Sequence, residues 1–245
     1  MNTEAPQRCR LCLNEAPLCN SHIIPEWCFK CIYDETHHAL HIVPDPDEPT
    51  IKIQKGLRER LLCSRCEGQF ATYEKYVREI IFGGTELLIS QQDNALHINE
   101  CDYEKLKLFQ LSILWRAGIA NGKDFENVNL GPHEEIIHKM LFDRRPGLST
   151  DYGCMMSLLL DDDGQLFKGI IVAPEKIKKH GFYCYRFIFS GCGWIFVVSS
   201  KSENFEEKDR FLKEDGTLIL PLIPARKTEL FQGMGRKLRA AGKIK

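Results

Sequence analysis

The 245-residue chain is 43% hydrophobic and 27% charged, which supplies apolar surface for one large or two modest cores and excludes a disordered chain. Its formal charge of −1 gives no overall electrostatic case for nucleic acid, although the acidic stretches "DPDEP" and "DDDG" contrast with a tail, "RKLRAAGKIK", that carries five basic side chains and no acidic one. No run approaches the ~18 apolar residues of a membrane span, and the N-terminus lacks the apolar centre of a signal peptide, so a cytoplasmic protein without membrane contact is expected.

In a reducing compartment, eleven cysteines read as metal ligands where they are closely paired and as small buried hydrophobes where they are isolated. Cys9-x2-Cys12 and Cys63-x2-Cys66 make a complete four-thiolate set for structural zinc, because a two-residue gap lets two sulfurs from one tight turn reach the same ion. Four unrelated buried cysteines are the plainer alternative. Cys28-x2-Cys31 repeats the spacing inside "EWCFKCIYD", which reads as the apolar face of a short helix, and Cys19 is set aside with it. His37, His38 and His41 in "ETHHALHIV" read as a solvated turn leading into a strand, and "PDPDEP" as a loop exposing Asp45 and Asp47. Cys101, Cys154, Cys184 and Cys192 are the isolated, buried class.

After the second cysteine pair, Phe70, Tyr73, Val77, Ile80 and Ile81 recur at three- and four-residue steps, predicting a helix from about Glu67 to the stop at "FGG". This closes a first domain at residues 1–82 and leaves a second at 83–245. In the second, "ELLIS" and "ALHIN" predict a hairpin around "QQDN", followed by helices over Tyr103 to Ala120 and Pro132 to Phe142. The runs "CMMSLLL", "LFKGIIV", "FYCYRFIF" and "WIFVVS" then predict an antiparallel meander, and "GTLILPLIP" adds an edge strand. The fold class is α+β: a zinc domain, a helical layer and the meander. The basic tail is expected to be an exposed electrostatic arm.

Glu67 and Glu74 share the helix face of Phe70, Val77 and Ile81, so two carboxylates lie on the apolar side and need a cation, whether a metal, an arginine or His22. Alternatively, Glu67 supports the first helical turn through the helix dipole while Glu74 pairs with Arg58 or Arg60. Lys52, Lys55, Arg58, Arg60, Arg65, Lys75 and Arg78 cluster around the second cysteine pair, where they suit phosphate contacts, or else form a solvated face alternating with glutamates. Arg116, in the middle of the apolar "LSILWRAG", needs a carboxylate or carbonyl partner and is expected to clamp the two domains or a helix end in preference to binding substrate.

The combination of "CRLC", "SHIIP" and "LLCSRCE" over residues 8 to 80 resembles the HNH nucleases of the ββα-metal, treble-clef class. "SHIIPE", "GLRERLLCSRCE", "YEKY" and "FQLSILWRAGI" together resemble a wider bacterial group. The HNH resemblance implies a treble-clef ββα domain and a metal-dependent endonuclease that cleaves nucleic-acid phosphodiesters, DNA ahead of RNA, in a setting such as defence against foreign nucleic acid. It implies structural Zn2+ on Cys9, Cys12, Cys63 and Cys66, and a catalytic Mg2+ or Mn2+. His22 would be the base by that resemblance; the helix-face carboxylates Glu67 and Glu74 are the candidate ligands for the catalytic metal, and Lys55, Arg58 and Arg65 of the basic cluster the candidate phosphate contacts. The pattern departs at Ser21 and Glu67, where the class usually has metal ligands, and no middle Asn is found. The alternative is a non-catalytic, zinc-stabilised module that binds nucleic acid or protein. A homo-oligomeric or operon-encoded partner is a further expectation.

Overall fold

The computed structural model describes residues 7–30, 32–33, 39–41, 51–53 and 56–240. The expectations for Cys31, His37, His38, Asp45, Asp47, Lys55 and the last five residues fall outside this set, and of His41 and Lys52 only the backbone is described.

Gln7–Arg8 (β1) pairs antiparallel with Glu15–Ala16 (β2), closing a turn that carries Cys9 and Cys12. Leu18–His22 (β3) is followed by the short helix Glu26–Lys30 (α1) and by a small hairpin of Ala39–His41 (β4) and Ile51–Ile53 (β5). Arg58–Cys63 (β6) returns antiparallel to β3 and passes directly into Ser64–Phe82 (α2). The helix therefore begins three residues before the predicted Glu67. The apolar period is visible only from Phe70 onward, whereas the first turn is set by the way the backbone leaves β6 and carries Cys66 into the helix.

The predicted hairpin is Leu88–Gln92 (β7) and Ala95–Asn99 (β8). Tyr103–Ile119 (α3) is capped by the Asp102 side chain, which accepts from Lys105 N at 3.0 Å, and is buried around almost its whole circumference. His133–Phe142 (α4) packs on it. Then come Cys154–Leu160 (β9), Val172–Lys179 (β10), Phe182–Phe189 (β11), Cys192–Val197 (β12), Leu218–Pro224 (β13) and the helix Glu229–Ala240 (α5).

The strands from β7 onward join in one seven-stranded mixed sheet, ordered β10-β11-β12-β9-β13-β8-β7. Two expectations need correction. The strand expected at "LFKGIIV" begins only at Val172 and runs on through "PEKIKK" to Lys179. Alternation of exposed Lys176 and Lys178 with half-buried Glu175, Ile177 and Lys179 is the pattern of an edge strand, which "KK" disguises in a sequence. "LILPLIP" is not an edge: it lies inside the sheet, antiparallel to β8 through Pro221 and parallel to β9 from Leu222. Pro221 falls where the strand changes partners, so its missing N–H removes no ladder bond from the β9 side. The β11–β12 turn uses Ser190 and Gly191, both at positive φ, and a Cβ on Gly191 would come within 2.5 Å of Leu166.

One hydrophobic core runs from the cysteine-bearing turns to the sheet. Phe109 of α3 stacks on Trp27 of α1 at 6.4 Å and meets Trp194 of β12 at 5.8 Å, while Trp115 packs edge-on against Phe70 of α2 at 6.3 Å. The end of α2 at residue 82 thus marks no break in packing. The four isolated cysteines are buried, as expected. Phe231 of α5 is buried against Phe167, which ties the start of the C-terminal helix to the sheet.

Lys107 is fully buried on α3 and donates to Tyr152 O at 3.0 Å and Ser149 O at 3.4 Å. Burial lowers its pKa to about 8, from 10.5 in an unfolded chain. The folded state therefore disfavours the charged form, and that cost is complete below pH 8 and relieved as pH rises through 10.5. Relative to Lys107→Met, the parent should gain stability between pH 8 and 10.5, by on the order of 3 kcal/mol at most. Urea melts of both proteins across that range check the sign; a constant difference would overturn it.

Candidate functional site

Two features of the N-terminal region carry chemistry. The first is built on the two turns. Cys9 N donates to Asn14 O and Leu13 N to Cys9 O, each at 2.9 Å, with Leu13 at positive φ, and Arg10 N bonds Leu61 O of β6 at 2.9 Å. This fastens the first turn to the strand that ends at Cys63. The sulfurs of Cys9, Cys12, Cys63 and Cys66 lie within 4.8 Å of one another, and three of the four residues are buried. Burial opposes ionisation of Cys9, but amides of Cys12, Cys63 and Leu11 outweigh it and bring its pKa down to about 7. Burial and the neighbouring sulfurs push Cys66 up. Four convergent sulfurs, one of them with its pKa lowered by backbone amides, could hold a soft divalent metal such as zinc. Cys19, half-buried beside this cluster, and Cys28, fully buried with Phe29, are not members of it.

The second feature lies at the other end of the β3–β6 ribbon. Antiparallel pairing sets His22 opposite Arg58, so both side chains leave the same face. Pro25 and the start of α1 bring Glu26 back onto them. His22 Nε2 contacts Glu26 Oε2, the same oxygen to which Arg58 Nη2 donates at 2.6 Å, and Tyr33 OH donates to the other oxygen at 3.4 Å. Burial, reinforced by the Arg58 charge, lowers the His22 pKa below its ordinary value against the opposing pull of Glu26. Burial works against ionisation of Glu26, yet His22 and Arg58 together hold its pKa below the ordinary carboxylate value. The group is a neutral imidazole tethered to a carboxylate and neighboured by a guanidinium. If the neutral ring carries its proton on Nε2, the nitrogen that faces Glu26, then Nδ1 is the basic nitrogen.

Arg116 supports this end from behind. It is 1% exposed, donates to the His22 carbonyl at 2.6 Å, to Glu74 Oε1 at 2.8 Å and to Ser112 O and Oγ, and lies 5.3 Å from the Phe70 ring centre. The expected clamp therefore joins β3, α2 and α3. Among the described residues Glu74 pairs with Arg116, not with Arg58 or Arg60. Glu67 differs again. Ser21, on the opposite face of β3 from His22, accepts from Leu62 N at 3.2 Å and lies near the Glu67 carboxylate, whose Oε1 is buried without a hydrogen-bond partner among the described residues. Burial raises the pKa of Glu67 despite Ser21 and the more distant Arg116.

His22 and Glu67 consequently do not face a common point: strand alternation gives the first turn of α2 to Ser21. Among the described residues the four cysteines are the one group of three or more potential ligands within 4.8 Å; His22, Glu67 and Glu74 are not gathered into another such group. Arg65 is exposed on the first turn of α2, away from any ion pair among the described residues. The functional residue missed in the sequence is Glu26. Its signal was its place four residues after His22, just behind a proline, in "SHIIPE".

No helix among the described residues is long and apolar enough to cross a membrane. No protein family, curated protein or solved structure matches this chain.

Proposed function

We propose that this chain is a zinc-stabilised phosphodiesterase acting on nucleic acid, with the four cysteines holding Zn2+ as a structural ion. Water attacks phosphorus as His22 takes its proton, the phosphorus bond to the departing sugar oxygen breaks and that oxygen takes a proton from solvent, while Glu26 orients the His22 ring and Arg58 neutralises charge on the phosphate. The observation that carries the reading is the His22–Glu26–Arg58 group, on one face of a two-stranded ribbon that leads into a helix beside the cysteine cluster. An imidazole with depressed pKa is neutral at pH 7 and ready to accept a proton. The resemblance to HNH nucleases supports the substrate class. The residues do not fit the catalytic Mg2+ or Mn2+ that the resemblance implies, so no step is routed through one.

The test is cleavage of labelled single- and double-stranded DNA and RNA by zinc-loaded protein in buffers with Mg2+ or Mn2+. His22→Ala should lower the rate by 10²-fold or more while zinc content and nucleic-acid binding persist. In the parent, activity should rise with pH through a midpoint below 6.5, and Glu26→Gln should move that limb to still lower pH, because the carboxylate is what raises the His22 pKa. Equal cleavage by parent and His22→Ala would overturn the proposal.

A non-catalytic module, which binds nucleic acid or protein through the same ribbon, is favoured by one observation: Glu74 is committed to Arg116, and no second ligand group forms among the described residues. Binding without cleavage in every buffer would establish it.

A further inference from the structure

Glu26 and Glu74, which border the His22 group, each have a basic residue one helical turn further on: Lys30 on α1 and Arg78 on α2. Four residues along a helix return to the same face, so both cations lie on the side that bears the candidate site and lead away from it. They line a surface groove with Trp27, Glu79, Phe82 and Gly83.

The groove floor is aromatic. Phe82 is 40% exposed at the end of α2, meets Trp27 edge-to-face at 5.8 Å, and has Lys168 Nζ 4.9 Å from its ring centre. Lys30 and Arg78 are exposed and make no ion pair among the described residues, whereas Glu79, the acidic residue of the lining, is engaged by Lys75 at 3.8 Å. The groove is thus positive along its walls, with a partly exposed aromatic ring between them.

We infer that this groove binds a single nucleic-acid strand flanking the cleavage point, with Lys30, Arg78 and Lys168 on its phosphates and Phe82 beneath an unstacked base. This rests on the proposed phosphodiesterase reading and adds strandedness to it. A duplex presents only its backbone to such a groove and gains nothing from Phe82, because its bases are stacked on one another. A single strand uses both features.

The experiment is fluorescence anisotropy with a labelled oligo(dT) 20-mer and a labelled 20-base-pair duplex, titrated from 50 to 200 mM salt. The parent should prefer the single strand. Lys30→Ala/Arg78→Ala changes only exposed side chains, so it should leave the melting curve in place. It should weaken oligo(dT) binding by at least ~10-fold and reduce the salt slope by about 1.4, two phosphate contacts' worth for a single strand. Phe82→Ala should weaken oligo(dT) roughly 5-fold or more and leave the duplex unaffected, and Phe82→Trp should restore binding, with its fluorescence quenched by the stacked base. Equal affinity of the parent for both probes, an unchanged salt slope in the double variant, or unchanged oligo(dT) affinity in Phe82→Ala would each overturn the inference. Preference for oligo(dT) that is lost in these variants, with no cleavage by the parent, would uphold the groove and remove the catalytic reading. Cleavage by the parent that persists undiminished in the groove variants would do the reverse.

Discussion

Cys63→Ser is expected to lower bound zinc from one equivalent per chain to a small fraction and to leave the N-terminal region open to proteolysis. Cys63 stands where β6 becomes α2, its amide donates to Cys9 Sγ at 3.3 Å, and its own sulfur lies 3.8 Å from that of Cys12. Removing it takes away one of four ligands and also the joint between the two turns. Structural zinc contributes on the order of 10 kcal/mol of apparent binding energy in small domains, and on the four cysteines it would hold together short strands of two to six residues. Metal analysis with limited proteolysis checks the outcome, with Cys19→Ser as the control, since Cys19 lies beside the cluster but outside it and should retain the metal. A full equivalent of zinc in Cys63→Ser would contradict the four-thiolate assignment.

Arg116→Met should be the most destabilising change outside that cluster. The substitution keeps the apolar stem against Phe70 but leaves Glu74, whose side chain is 20% exposed, without its cation and the His22 carbonyl without its donor. Breaking a buried pair from one side costs about 3–5 kcal/mol, which for a chain of this size lowers the melting temperature by roughly 10 °C. Adding Glu74→Gln to Arg116→Met should recover part of the loss, because the stranded charge is then gone. Thermal and urea melts of the two single variants and the double variant measure this. A loss below 1 kcal/mol in Arg116→Met would show that water reaches Glu74 and that the clamp contributes little.

The pairing of Arg116 also explains why the site differs from its sequence-level outline. Glu67 and Glu74 share one helix face with Phe70 and Val77, and helical period alone makes both candidates for a common cation. Which cation each receives depends on what packs against that face. Glu74 meets α3 and its buried arginine, while Glu67, two turns earlier, meets Ser21 of β3.

Local rules were enough for the four-cysteine cluster, since a two-residue spacing dictates which sulfurs can share a turn. They were also enough for α2, α3, α4 and the β7–β8 hairpin, whose apolar periods and end signals lie within each segment. They located Glu26 four residues from His22, but gave no reason to join the two, because a proline between them leaves the chain direction open until α1 packs on the core. Sheet order was beyond reach for a related reason. The parallel pairing of β13 with β9 and the edge position of β10 arise from contacts between segments far apart in the chain, and nothing within "LILPLIP" or "PEKIKK" specifies a neighbour. Short-range pattern determined most of the elements and the cysteine pairs that could hold a metal. Long-range packing decided which charges met, because a buried arginine must find its carboxylate wherever the fold brings one within reach.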